Sequence, residues 1–308
     1  MNCSPKQKLN ILPENPEVEK RGRFPSWLHR KLPQGGNLFK TSSILEKYRL
    51  NTVCEEAKCP NRFECYTKKT ATFLALGKAC TRSCGFCDID FTKTPMPPED
   101  DEPERIALSV AELGLKHAVI TMVARDDLTC GGSIHMAKIV RNIRAVNPHT
   151  TIEVLSSDFA GNLDALHTLL DEHPEIFNHN IETVRSLTPR VRHKATYERT
   201  LLIVKEAKLS GKSSFVKSGL MVGLGESSDE VFETLHDLQQ AGVDIVTIGH
   251  YLQPNFHKLT VKEFVPLEQF QIYADFGTKI GIKHMYAGPF VRSSYNAAEV
   301  LASAHQSV

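Results

Sequence analysis

The 308-residue sequence lacks an excess of either charge: 37 Lys and Arg stand against 36 Asp and Glu, a formal net charge of +1. A chain that grips nucleic acid through its phosphates carries a basic excess, so no nucleic-acid partner is expected. No uninterrupted apolar run approaches the roughly 20 residues of a membrane span, and no membrane partner is expected either. There is no low-complexity tract and no internal repeat. A content of 41% hydrophobic and 24% charged residues is that of an ordinary folded chain. The opening residues, Met1-Asn2-Cys3-Ser4-Pro5-Lys6, start no apolar stretch of the secretory type, and Glu14, Glu17 and Glu19 do not suit an acid-poor transit peptide. A cytoplasmic location is the expectation.

Cysteine is missing from everything after position 130. The 8 cysteines are Cys3, Cys54, Cys59, Cys65, Cys80, Cys84, Cys87 and Cys130, and six of them fall between positions 54 and 87. A secreted disulfide scaffold would spread its cysteines along the chain. Clustered in a reducing compartment, they read as metal ligands or redox groups. Cys3 and Cys130, the latter in Asp127-Leu-Thr-Cys-Gly-Gly132, are read as bystander thiols.

Residues 1–48 form an extension in which Pro13, Pro16, Pro25, Pro33 and the Gly35-Gly36 pair break any long element. Trp27, Leu28, Leu32 and Leu38 offer it apolar side chains for docking. Residues 49–70 carry the first three clustered cysteines around Pro60. A body follows at 71–290 and a tail at 291–308. In the body, runs rich in Val, Ile, Leu and Thr predict strands at 72–76, 118–123, 151–155, 176–180, 216–222 and 245–249. Helices are expected between them. One covers about 103–114, with Ile106, Val110 and Leu113 on one face. Another covers about 133–146, with Ser133 as N-cap and Ile139, Val140, Ile143 and Val146 inward. A third starts near 228, where Ser227 and Glu230 have capping-box spacing ahead of Val231, Leu235 and Leu238. Alternation of this kind gives an α/β fold with a parallel sheet, either doubly wound or an incomplete barrel. Both arrangements place active residues at the C-terminal ends of strands. The residues there are polar: Arg125, Asp126, Asp127, Asp158, Asn178 to Glu182, Gly223 to Glu226, His250, Tyr251 and Gln253.

Cys80-Thr-Arg-Ser-Cys84-Gly-Phe-Cys87 has the spacing C-x3-C-x2-C. On a helix these thiols would spread over roughly 10 Å, and Thr81, Ser83 and Gly85 are poor helix formers. A loop curled around its ligand is expected, with Gly85 permitting the curl. Zinc would want four ligands and usually paired C-x2-C knuckles. Three close cysteines suit a [4Fe–4S] cluster with one iron open. Cys54-x4-Cys59-x5-Cys65 fits neither helical nor strand periodicity and has Pro60 inside it. It reads as an irregular loop holding a second cluster, a redox pair, or a zinc site completed elsewhere.

The C-x3-C-x2-C run, with Phe86 before its last cysteine and a strand ahead of it, resembles the radical S-adenosylmethionine superfamily. Six further segments are similar to the lipoyl synthase family: Cys54-Glu-Glu-Ala-Lys-Cys59-Pro-Asn-Arg-Phe-Glu-Cys65, Thr70-Ala-Thr-Phe73, Asn178-His-Asn-Ile-Glu182, Ser218-Gly-Leu-Met-Val-Gly-Leu-Gly-Glu226, Tyr251-Leu-Gln-Pro254 and Arg292-Ser-Ser-Tyr295. The likeness runs from about residue 50 to 296. It departs from the family pattern at His250, where glutamine is usual, and at Cys130.

The resemblance implies an incomplete (β/α)6 TIM-like barrel with an N-terminal cluster-binding extension and a C-terminal tail. It implies an enzyme that inserts two sulfur atoms, at carbons 6 and 8, into a protein-bound octanoyl chain. Two [4Fe–4S] clusters and S-adenosylmethionine would serve it. Cys80, Cys84 and Cys87 would hold the radical-generating cluster, whose open iron chelates S-adenosylmethionine. Cys54, Cys59 and Cys65 would hold an auxiliary cluster consumed as the sulfur donor. A serine of the Arg292-Ser-Ser-Tyr295 motif would be its fourth ligand, Ser294 being preferred to Ser293. Phe86, Asn180, Glu182, Gly223, Gly225, Glu226 and Tyr251 are candidate cofactor contacts, with a plain strand–helix turn as the alternative for the two glycines. The implied partners are an octanoylated lipoyl domain or glycine-cleavage H protein, an electron donor such as flavodoxin or ferredoxin, and an iron–sulfur carrier that rebuilds the consumed cluster. Another sulfur-inserting radical enzyme would place its auxiliary ligands elsewhere. An electron carrier has little use for so large a βα body.

Overall fold

Apolar runs of β-branched residues bounded by polar or glycine turns build the frame, and the computed structural model describes residues 25–29 and 37–294. Cys3, Leu32 and Tyr295 lie outside the described residues. Two units are distinguished, residues 1–31 and 32–308; of the first, one 3-10 turn, Ser26–Leu28, is described. In the second, α1 (Asn37–Lys47), β1 (Asn51–Thr52), α2 (Val53–Glu56) and α3 (Arg62–Thr67) precede the barrel. Then come β2 (Thr72–Ala75), β3 (Ala79–Cys80), β4 (Asp90–Phe91), α4 (Glu102–Leu113), β5 (His117–Met122), α5 (Ser133–Val146), β6 (Thr151–Leu155) and α6 (Leu163–Leu170). The chain continues through β7 (Ile176–Asn178), α7 (Thr188–Val191), α8 (Tyr197–Ser210), β8 (Phe215–Val222), α9 (Ser228–Gln240), β9 (Ile245–His250), α10 (Leu267–Lys279) and β10 (His284–Gly288).

The main sheet has the order β1-β2-β5-β6-β7-β8-β9-β10. Among the described residues only β1 is antiparallel; every pairing of this sheet from β2 to β10 is parallel. Each of β2, β5, β6, β7, β8 and β9 leads to a helix, which gives the expected six β/α units, and β10 adds a seventh parallel strand. The sheet curls so that β2, β5, β6, β8 and β9 all contribute to one cavity wall. Among the described residues β1 and β10 are not paired with each other, so the barrel stays open.

Helix faces follow the sequence period. Ile106, Val110, Ile139, Val140, Ile143, Val231, Leu235 and Leu238 are buried at 0–1% exposure. Each such side chain is worth roughly 1.5–3 kcal/mol of burial. The capping box of Ser227 and Glu230 forms as expected. Two details differ. Ser133 is the first residue of α5, and Gly132, with φ 90°, holds the cap position. Val146 is 43% exposed, because it closes the last turn of α5 beyond the reach of the core. Past the Gly35-Gly36 pair, α1 sends Thr41, Ile44 and Leu45 inward, with Leu38 packed against the core.

The barrel interior also holds charge. Lys217 Nζ lies 3.0 and 3.1 Å from the two carboxylate oxygens of Glu153, and both side chains are wholly buried. Asn178 donates to Glu153 Oε1 at 2.9 Å. Burial opposes ionisation of the Glu153 carboxyl, but the charge of Lys217, then His117 beside it, then the Asn178 bond hold its pKa below the ordinary value.

Candidate functional site

The C-x3-C-x2-C loop opens and closes on a two-stranded parallel ladder, in which β3 pairs Ala79 with Asp90 and Cys80 with Phe91 of β4. Between these anchors the chain is non-helical, as expected. Gly85 serves by close approach. Its N–H donates to Val191 O at 3.0 Å and its carbonyl accepts from Leu259 N at 2.9 Å. A Cβ there would stand 3.0 Å from the Leu259 side chain. Thr81 ties the loop to the end of β5: its hydroxyl donates to Ala124 O at 2.9 Å and accepts from Asp126 N at 3.0 Å.

Arg82, inside the motif, is buried and forms a forked pair with Asp126 at 2.7–3.2 Å. It also reaches Asp158 at 2.6 Å, and Asp158 in turn meets Arg199 at 3.2 Å. A cysteine loop is thus fastened to the C-terminal ends of two strands by charge-assisted bonds. The sequence held a signal for this: an arginine between two motif cysteines, facing carboxylates at two strand ends.

The second triplet differs from the irregular loop expected of it. Cys54 lies on α2, Cys59 in the connection between α2 and α3, and Cys65 on α3. Local hydrogen bonds explain the order. Thr52 caps α2 by accepting from Glu55 N at 3.3 Å, Cys59 N donates to Cys54 O at 3.1 Å, and Cys65 N donates to Asn61 O at 2.9 Å. Asn61 Nδ2 donates to Phe290 O at 2.8 Å, which binds this segment to the far end of the chain.

Both triplets face the same cavity of about 570 Å³. Cys54, Cys59, Cys65, Cys80, Cys84 and Cys87 all line it, together with Phe86, Asn180, Glu182, Tyr251, Ser293 and Ser294. Leu74, Met122, Val123, Leu155 and Met221 supply an apolar wall. Burial pushes the Cys54 and Cys87 thiols up to about 12 and that of Cys65 to about 11, and raises Cys84 as well. At neutral pH such thiols are protonated until an iron or other cation displaces the protons.

At the end of β7, Asn180 Nδ2 donates to Glu182 Oε1 at 3.1 Å and to Ser293 Oγ at 2.7 Å. Glu182 adopts φ 67°, a left-handed backbone that costs a non-glycine residue about 1–3 kcal/mol and concentrates at functional sites. Burial raises its carboxyl pKa, with Arg192 and Asn180 pulling it back. Arg192, not singled out in the sequence, lines the cavity and donates to Asn180 O at 2.8 Å. His179 is buried and its pKa is lowered to about 4 by burial and by Arg192, so the ring is neutral.

Other sequence candidates are not brought to the cavity. Gly223, Gly225 and Glu226 are not among its lining residues. The Glu226 carboxylate folds back onto the N–H groups of Gly223 and Leu224 at 2.5 and 3.0 Å, so the segment is a strand–helix turn with φ 99° and 109° at its glycines. Arg125 pairs with Asp127 outside the cavity. Cys130 is a half-buried thiol away from the lining. His250 is fully buried, with Nδ1 2.6 Å from Tyr251 O and Nε2 accepting from Val265 N at 3.2 Å. Burial lowers its pKa, and it staples the loop after β9.

Residues 74–263 match the family model of the radical SAM superfamily, and residues 5–59 match the N-terminal domain of lipoyl synthase. Lipoyl synthase of Protochlamydia amoebophila is 61% identical over 314 aligned positions, covering 99% of this chain and 97% of that protein. Lipoyl synthase of Chlamydia muridarum is 53% identical, covering 92% of each. Among solved structures, Streptococcus suis SuiB bound to S-adenosylmethionine aligns with a TM-score of 0.55 at 11% identity, over 81% of this chain and 53% of that one. Coproporphyrinogen III oxidase of Escherichia coli, a radical SAM enzyme, aligns with a TM-score of 0.51 at 15% identity, over 68% and 53%. The two structures share the fold of this chain; the sequence matches go further, and by them the chain belongs to the lipoyl synthase family of the radical SAM superfamily.

Proposed function

We propose that this enzyme inserts two sulfur atoms at carbons 6 and 8 of an octanoyl chain carried on a protein, forming the lipoyl group, with one iron–sulfur cluster on each cysteine triplet. The observation that carries the reading is the meeting of both triplets on one cavity with an apolar wall. Neither saturated carbon of the chain offers an acidic proton, so a side-chain base cannot open the C–H bond. A [4Fe–4S] cluster with S-adenosylmethionine supplies radical hydrogen abstraction when bound, as cofactors carry the chemistry that side chains cannot.

The residues have separate tasks. Cys80, Cys84 and Cys87 would hold three irons of that cluster and leave the fourth for S-adenosylmethionine, with Arg82 and Gly85 fixing their loop. Cys54, Cys59, Cys65 and Ser294 would hold the auxiliary cluster, which enters the reaction as the substrate that gives up sulfur. A serine oxygen is a harder ligand than thiolate and is suited to release as that cluster comes apart. Phe86, Asn180, Glu182 and Tyr251, which line the cavity, would contact S-adenosylmethionine. Leu74, Met122, Val123, Leu155 and Met221 would receive the alkyl chain and keep water from the radical.

The substrate carrier would be an octanoylated lipoyl domain or a glycine-cleavage H protein. A flavodoxin or ferredoxin would supply electrons, and an iron–sulfur carrier would restore the spent cluster. Among the described residues no helix is long and apolar enough to cross a membrane, and the cytoplasm is the proposed location.

Anaerobic reconstitution with iron and sulfide analysis tests the ligand sets. Two clusters per chain are expected, falling to one when Cys80, Cys84 and Cys87 become alanine, and to the other one when Cys54, Cys59 and Cys65 do. A protein that takes up zinc and no iron overturns the assignment.

A further inference from the structure

Asn180 stands between two parts of the cavity wall that lie far apart in sequence. Its amide nitrogen serves Glu182, two residues on, and Ser293, 113 residues on. Both amide hydrogens are thereby used, while Oδ1 is buried and accepts no hydrogen bond. The backbone around it is locked. Arg192 Nη1 donates to Asn180 O and Ile181 O at 2.8 and 3.1 Å, and Glu182 N donates to Gly219 O at 2.9 Å. At Gly219, a Cβ would stand 2.4 Å from Thr247 Oγ1 and 3.2 Å from Asn180 Oδ1, so the strand beside Asn180 is bare to admit its side chain.

The segment carrying Ser293 is set down as closely. A Cβ at Gly249 would lie 2.1 Å from Val291 O, so only glycine lets the chain cross β9 there. Asn61, between Cys59 and Cys65, holds Phe290 O from the other side. The 289–294 segment is therefore touched by the Cys59–Cys65 region at one point and by Asn180 at another.

We infer that Asn180 is a positioning residue coupling the Ser293–Ser294 segment to Glu182, so that S-adenosylmethionine occupancy and the placement of Ser294 at the auxiliary triplet depend on one amide. The inference rests on the ligand assignment proposed above. An amide suits the task because its two N–H groups point in different directions and serve two acceptors at once. Ser293 is then the structural member of the serine pair, and Ser294 is left for the metal.

The test compares Asn180→Ala, Ser293→Ala and the double variant in the full chain. Hydrogen exchange at 289–294 in cluster-free protein reads the bond itself. Each single variant is expected to speed exchange there by about three- to tenfold, the range of one lost hydrogen bond, and the double variant no more than the faster single one. In reconstituted protein with unchanged iron content, Ser293→Ala is expected to weaken S-adenosylmethionine binding by a similar factor, although Ser293 is not a proposed contact of that molecule. Exchange rates that multiply in the double variant overturn the bond's role. Unaltered S-adenosylmethionine affinity in Ser293→Ala overturns the coupling. Failure of the wild-type chain to bind iron would overturn the ligand assignment instead, and the exchange result would stand apart from it.

Discussion

Replacing Arg82 by methionine removes one guanidinium from between two carboxylates while keeping much of its volume. Asp158 bears the consequence, because its side chain is wholly buried. Burial alone would raise its pKa; the hydrogen bond and charge of Arg82 reverse this and pull it down to about 2. Against an ordinary carboxyl near 3.8, that depression corresponds to on the order of 2–3 kcal/mol at neutral pH. Breaking a buried pair from one side costs about 3–5 kcal/mol, and Arg199 remains beside Asp158 to soften the loss. A loss of about 3 kcal/mol is therefore expected at pH 7, read from urea midpoints of the cluster-free chain. The pH dependence gives the sharper check. In the wild type, the Asp158 contribution is present above about pH 4 and is lost as the pH falls toward 2. In Arg82→Met, burial is less opposed and the folded pKa rises, so the variant gains stability relative to the wild type as the pH is lowered from 7 toward 4. A deficit that stays constant over that range would refute the reasoning, since it would show that Asp158 does not feel the missing charge.

Lys217→Met leaves Glu153 buried without its cation and is expected to cost about 3–5 kcal/mol. Adding Glu153→Gln removes the stranded charge while keeping an acceptor for Asn178, so more than half of the loss should return in thermal melts. Gly249→Ala drives a methyl group into the Val291 carbonyl. It should displace the 289–294 segment, lowering retention of the auxiliary cluster in iron analysis while leaving the Cys80–Cys87 cluster loaded.

Much of this fold could be read from the sequence because its strands are buried on both faces. His117–Met122 and Ile245–His250 are buried at every position, so each appears as a dense apolar run between turns. The last parallel strand could not be read in that way. His284–Gly288 is half-buried throughout and mixes His, Met, Tyr, Ala and Gly, so it presents neither a continuous run nor an alternation. Spacing alone separated the two cysteine triplets, but their meeting on one cavity is a consequence of tertiary structure. The paired glycines at 223 and 225 suggested a ligand loop. The carboxylate of Glu226, one residue further on, takes up the N–H groups such a loop would have offered. Lys217 and Glu153 left a trace as isolated charges in apolar strands, yet only the parallel register brings them together.

Reconstitution with heavy-isotope sulfide, followed by turnover of an octanoylated carrier peptide with S-adenosylmethionine and a reductant in unlabelled buffer, tests the central claim most directly. The account predicts that the peptide gains two heavy sulfur atoms and that a variant lacking Cys54, Cys59 and Cys65 forms 5′-deoxyadenosine with no sulfur transfer. Unlabelled sulfur in the product, or transfer that survives loss of that triplet, would contradict it.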